Sequence, residues 1–209
     1  LLNHLFFLIV YLYYFTPKRV FKMLYNYVTK YGQPVFMVGV SRSGTTLISE
    51  SIGEHPKVLN YSESPQVFEA NFYDKKIDHN KEIFSNVEKF RIVFSFSIFK
   101  YLNKNKRINS LILNKHPENS LRINAIEELF PKTKFIYVRR NAIDVVESNF
   151  RKTQFDPWRS SYPFGNFPKP LLWKSYLLEP KIIQFAFQYR DINNYLKNTF
   201  KDKKLNFLE

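Results

Sequence analysis

The residues best placed to do chemistry begin with Gly39-Val-Ser-Arg-Ser-Gly-Thr-Thr46, directly after the apolar run Pro34-Val-Phe-Met-Val-Gly-Val40. The spacing is that of a phosphate-binding loop, G-x-x-x-x-G-K-[ST]. Thr45 stands where the lysine belongs, and a cation, Arg42, comes three residues earlier. A strand, a tight loop and a helix start make an anion site from backbone alone. The N–H groups of the first helical turn have no intrahelical acceptor, and the helix dipole favours negative charge there. Gly44 lets the chain close on a ligand, and the Thr45 and Thr46 hydroxyls add donors. Nucleotide hydrolases place the missing lysine on β/γ-phosphates, so the substitution argues against an ATPase. The planar, always-charged fork of Arg42 suits an anhydride with a phosphate leaving group, whose transferred group is not a γ-phosphoryl.

A second constellation is Phe135-Ile-Tyr-Val-Arg-Arg-Asn-Ala-Ile-Asp-Val-Val-Glu-Ser148. A buried strand is predicted to run straight into a helix, with Arg139 and Arg140 at the carboxyl end, where open α/β sheets bind ligands. Ser148 follows Arg140 by eight residues, about two helical turns, so both can face one side and grip a second phosphate distant from the loop. A helix-start arginine beside a surface serine is the plainer alternative. Glu63 follows a short predicted strand, Lys57–Tyr61, and Lys115 follows the run Leu111-Ile-Leu-Asn114. Alone, a loop glutamate reads as solvated; His55 and His116 read as structural residues.

These groups need a scaffold. From residue 34 the pattern alternates: apolar strand-like runs at 34–40, 111–114 and 134–139, and helical periodicity at 45–54, 118–129, 141–152 and 176–198. Pro56, Pro117, Pro131 and the 156–170 stretch mark loops. The expected fold class is α/β, a parallel sheet of the phosphate-loop type flanked by helices on both faces. Residues 32–209 are expected to form the domain, with a helical insertion at about 66–110. Residues 1–31 form an apolar and basic N-terminal segment. Its uncharged run Leu5–Phe15 is eleven residues long, short of the roughly 20 that span a bilayer. Lys18, Arg19, Lys22 and Lys30 follow it. Two readings stay open: the end of a membrane anchor, or a helix packed on the domain. As an anchor, its trailing cations place the domain on the cytoplasmic side; otherwise the cytoplasm is expected. Leu1 and the strand-like Leu205-Asn-Phe-Leu-Glu209 make the chain read as a fragment, with part of the sheet supplied from beyond residue 209.

The chain's 209 residues suit one such domain, and 22 Phe with 14 Tyr can fill its core. Lys and Arg outnumber Asp and Glu by 32 to 18, a net +14. That excess suits a polyanionic ligand, an anionic membrane surface or nucleic acid, or else a lysine-rich solvated face. There is no cysteine, which excludes disulfides and thiolate metal sites.

Val38-Gly-Val-Ser-Arg-Ser-Gly-Thr-Thr-Leu47 resembles the 5′-phosphosulfate loop of sulfotransferases that use 3′-phosphoadenosine 5′-phosphosulfate (PAPS). Arg140 with Ser148 is similar to their 3′-phosphate motif, spacing included. His55-Pro-Lys-Val58 followed by Glu63, Asn114-Lys-His-Pro117 and Leu129-Phe-Pro-x-x-Lys-Phe135 resemble the branch holding tyrosylprotein sulfotransferases and related bacterial enzymes. The resemblance runs in consistent order over 34–152, with a weaker echo at Phe187-Gln-Tyr-Arg190, and departs at Ser41, where relatives commonly have proline. It implies PAPS as donor without a metal, held by Arg42, Ser43, Gly44, Thr45, Thr46, Arg140 and Ser148. It implies Glu63 as general base, Lys115 on the bridging oxygen or sulfuryl group, and Arg42 on the 5′-phosphate or leaving oxygen. Burial of Glu63 would raise its pKa and the cations would lower it, leaving the value open. The implied acceptor is a hydroxyl of a glycan, lipid, small molecule or protein tyrosine; membrane association stays open, and no nucleic acid is expected. Two other readings remain: a kinase- or NTPase-like nucleotide-binding protein, and a non-catalytic basic polyanion-binding module at a membrane. Glu63 separates the last from an enzyme, because an anion binder gains nothing from a carboxylate facing its ligand.

Overall fold

The computed structural model describes residues 18–30, 34–63, 83–103, 110–155, 168–203 and 207–208. The apolar run 5–15, most of 66–85 and the loop 156–167 lie outside the described residues. Among the described residues, no helix is long and apolar enough to cross a membrane.

Among the described residues, five strands form one sheet: β1 (Val35–Val38), β2 (Val58–Ser62), β3 (Leu111–Lys115), β4 (Lys134–Tyr137) and β5 (Phe207–Leu208). Their order is β2-β3-β1-β4-β5, and every pairing is parallel. Six helices accompany them among the described residues: α1 (Lys18–Lys30), α2 (Thr45–Gly53), α3 (Asn86–Leu102), α4 (Ile123–Leu129), α5 (Ala142–Phe155) and α6 (Lys181–Lys203). The chain is therefore α/β, with β1 central. All four residues of β1 are buried, as expected of a parallel strand covered on both faces, and this is why it reads as an unbroken apolar run.

Alternation along the strands divides the core. Phe36, Val38, Ile112, Phe135 and Tyr137 face Val28 of α1, Phe96 of α3, Ile126 of α4 and Leu196 of α6. The Phe36 ring lies 6.0–6.2 Å from the rings of Phe96, Phe130 and Phe135, so the abundant phenylalanine is spent here. Val35, Met37 and Leu113 point the other way, toward Ile52 of α2. Helix α3 starts at a reciprocal cap: the Ser85 hydroxyl accepts from the Glu88 N–H, and the Glu88 carboxylate accepts from the Ser85 N–H.

Two helices differ from the periodicity. The segment expected to be helical over 118–129 is a 3₁₀ turn, Pro117–Leu121, then α4, broken at Arg122 (φ −129°, ψ 25°). Arg122 is fully buried and pairs with Glu118 at 3.2 Å, and this buried charge pair sets the local path instead of helix propensity. The segment expected over 176–198 starts later. Trp173–Tyr176 is a 3₁₀ turn, and α6 begins at Lys181 after Pro180, a residue pre-set for a helix start.

Candidate functional site

The loop after β1 is shaped by backbone constraints. Gly39 has φ 152°, and a Cβ there would meet the Val138 carbonyl oxygen at 2.5 Å, so β4 passes too close for any side chain. Buried Ser120 clamps the same residue: its hydroxyl accepts from the Gly39 N–H and donates to the Gly39 carbonyl, both at 2.9 Å. The 3₁₀ turn that interrupts the expected helix is what brings Ser120 there. Gly44 precedes α2 with φ 98° and has no side chain to cap it, so the first turn of α2 starts without a side-chain cap at its N–H groups.

Arg42 sits in this loop at φ 71°, and its Nε donates to Ser148 Oγ at 3.1 Å. The next residue of α5, buried Asn149, donates to the Ser41 carbonyl at 3.1 Å. Helix α5 thus holds the loop at two adjacent points. This corrects the placement of the second motif: Ser148 lies at the loop, not distant from it. Helix α5 starts at Ala142, so Arg140 precedes it instead of sharing its face. The Arg140 side chain lies 3.4 Å from Asp144, and its carbonyl accepts from Tyr189 at 2.7 Å.

The other half of the site comes from β2 and β3. The Glu63 N–H donates to the Lys115 carbonyl at 2.7 Å, extending the β2–β3 ladder by one residue. There the chain turns to φ 44°, and the Glu63 carboxylate pairs with Lys115 Nζ. The same Nζ donates to Thr46 Oγ1 at 3.0 Å. Lys115 is buried, whereas the Glu63 side chain is 57% exposed, more solvated than a desolvated base would be. Beneath them, fully buried Asn114 donates to the Tyr61 carbonyl and accepts from Asn119. His116, 2% exposed, has its pKa lowered to about 4, chiefly by burial, so it is neutral at pH 7.

Among the described residues, Arg42 and Glu63 are the two non-glycine residues with positive φ. Such conformations cost on the order of 1–3 kcal/mol each and persist where surrounding structure over-determines them. Both belong to the site. The structure thus brings Arg42, Thr46, Ser148, Glu63 and Lys115 to one sheet edge, with Gly44 and Thr45 between them and Arg140 beside Asp144.

An open parallel sheet with a glycine-bounded loop between β1 and α2, faced by charged residues from β2, β3 and the β4–α5 junction, defines the class of protein. A family model described as the sulfotransferase family matches residues 34–169, and the chain belongs to that family. A curated protein of Aquifex aeolicus (strain VF5), described as an uncharacterized protein, is 31% identical over 130 residues. The match covers 57% of this chain and spans 17% of that relative's length. No solved structure gave a significant match.

Sequence reasoning missed Ser120 and Asn149. A serine in a turn and an asparagine on a helix carry no periodic signal, although Asn149 adjoins a residue already singled out.

Proposed function

We propose that this domain transfers a sulfuryl group from PAPS to an acceptor hydroxyl, with Glu63 as general base. The observation that carries the reading is Lys115, whose Nζ joins the Glu63 carboxylate and the Thr46 hydroxyl. A base, a cation and the phosphate loop thereby meet at one point. Glu63 takes the proton of the acceptor hydroxyl as its oxygen attacks sulfur. The bond from sulfur to the 5′-phosphate oxygen breaks, releasing adenosine 3′,5′-bisphosphate. Lys115 and Arg42 stabilise charge on the bridging oxygen as it departs. Ser148 and Arg140 are assigned to the 3′-phosphate, and loop residues 43–46 to the 5′-phosphosulfate. Strain at Arg42 and Glu63 supports the reading, because it fixes two charged side chains at the cost of stability. The test is calorimetric titration of the full-length protein in EDTA with adenosine 3′,5′-bisphosphate, PAPS and ATP. The 3′-phosphorylated nucleotides should bind more tightly than ATP. Tighter, magnesium-dependent ATP binding would overturn the proposal in favour of a kinase or NTPase.

A further inference from the structure

Around the start of α6 the chain turns large apolar side chains out to solvent. Leu171, Leu172, Leu177, Leu178, Ile182 and Ile183 are 38–100% exposed, with Leu178 the fully exposed one. A single exposed leucine needs no explanation, but a cluster of this size marks an interaction site. The ridge is also held in shape. Trp173 and Tyr176 are buried and pack inward with Phe187, which leaves the neighbouring leucines facing out. The buried Gln184 carboxamide donates to the Leu177 carbonyl at 3.1 Å and to the Glu179 carbonyl at 2.8 Å. These bonds tie the Leu177–Glu179 turn to α6 and hold Leu178 at its tip.

Topology sets where the ridge stands. Helices α1 and α6 each lead through a short link into a strand of the parallel sheet, β1 and β5. Each therefore runs against the strands and starts at their carboxyl edge, the edge that carries Arg42, Glu63 and Lys115. Tyr189 of α6 meets the Arg140 carbonyl just past β4. Lys181 precedes Tyr189 by eight residues, about 12 Å along the helix axis, so the ridge projects beyond that edge. The chain enters α1 at the same edge, at Lys18, shortly after its uncharged run Leu5–Phe15.

Charge selects the occupant. Across 18–30 and 171–183 the cations are Lys18, Arg19, Lys22, Lys30, Lys174 and Lys181, and the sole acid is Glu179. Protein–protein interfaces are depleted in lysine, whereas elements that lie on membranes join exposed leucines to lysine and arginine. We propose that this edge of the domain docks on an anionic lipid surface, with the Leu171–Ile183 ridge entering the headgroup layer and the surrounding cations facing the lipid charges. The docking does not rest on the transfer reaction proposed above.

The chain has no cysteine, so Leu178→Cys gives one labelling position for an environment-sensitive fluorophore. Phe155→Cys is the control: Phe155 is 83% exposed at the far end of α5, which starts near the carboxyl edge and runs away from it. On vesicles of phosphatidylglycerol and phosphatidylcholine, the label at 178 should shift to the blue, as on leaving water, and the label at 155 should not. Phosphatidylcholine vesicles alone should give little shift, and added salt should weaken the response. In co-sedimentation with the mixed vesicles, with folding checked by circular dichroism, Leu178→Ser should weaken binding by about tenfold, the order expected when one leucine is no longer buried. Phe155→Ser should change it less than twofold. Sedimentation without a shift at 178 would assign attachment to the Leu5–Phe15 run or to diffuse attraction, and would overturn the proposal. Equal shifts at 178 and 155, equal binding to phosphatidylcholine alone, or no binding would overturn it too. So would a shift at 178 that grows with protein concentration without vesicles, the mark of a second copy on the ridge.

Discussion

Arg42 Nε donates a hydrogen bond to Ser148 Oγ at 3.1 Å, across 106 residues of sequence. The pairing of β1 with β4 makes this contact, because the loop after one strand then lies beside the helix after its neighbour. Two motifs that spacing alone kept apart become one surface.

The first prediction follows from that surface. Arg140→Ala should weaken adenosine 3′,5′-bisphosphate by about 10- to 100-fold, the loss of a charge-assisted bond of about 1.5–3 kcal/mol, and leave AMP nearly unchanged. Calorimetry with both ligands reads the difference. Equal losses for the two would show that Arg140 does not read a 3′-phosphate.

Two glycines give a stability test that needs no ligand. At Gly39 an added Cβ would lie 2.5 Å from a backbone oxygen, whereas at Gly44 nothing lies within 4 Å. Gly44→Ala should cost only its left-handed backbone, about 1–2 kcal/mol. Gly39→Ala should cost more, because β4 would have to move. Urea midpoints measure both; similar costs would refute the close approach of β1 and β4.

Much of the site was legible because its parts are short and local. The loop 39–46 is a contiguous motif, and β1, β3 and β4 are apolar runs that only buried parallel strands require. The position of Lys115 followed from the run that forms β3, and that of Glu63 from the short strand predicted over Lys57–Tyr61. Other features depend on contacts far apart in sequence. The break at Arg122 comes from a buried pair with Glu118, which helical periodicity cannot register. Ser120 reaches Gly39 only because of that break. The positive φ of Arg42 and Glu63 is set by neighbouring strands and α5; neither residue type signals it.

Buried His116 makes stability depend on pH. Its folded pKa is lowered to about 4 by burial, against about 6.5 unfolded. Above 6.5 the residue is neutral in both states and its contribution is fully present. As pH falls from 6.5 toward 4 the unfolded chain binds the proton first, and stability is lost, on the order of 3 kcal/mol in all. Urea midpoints at pH 7 and pH 5 should show the decline, and His116→Gln should flatten it. An unchanged slope in that variant would assign the effect to other groups.

Glu63 is the proposed base, and its carboxylate can be removed with little change of shape. Glu63→Gln preserves shape and most hydrogen bonding at a side chain that is 57% exposed, so folding should be intact while the base is gone. The measurement is sulfate transfer from labelled PAPS by the full-length protein, in EDTA, to a panel of glycans, lipids, small alcohols and phenols, and tyrosine peptides, with bisphosphate affinity measured alongside. Transfer should fall by about 10²–10⁴-fold, the usual contribution of a positioned base, with bisphosphate affinity nearly unchanged. Near-normal transfer in the Gln variant would contradict the assignment of Glu63 as the base.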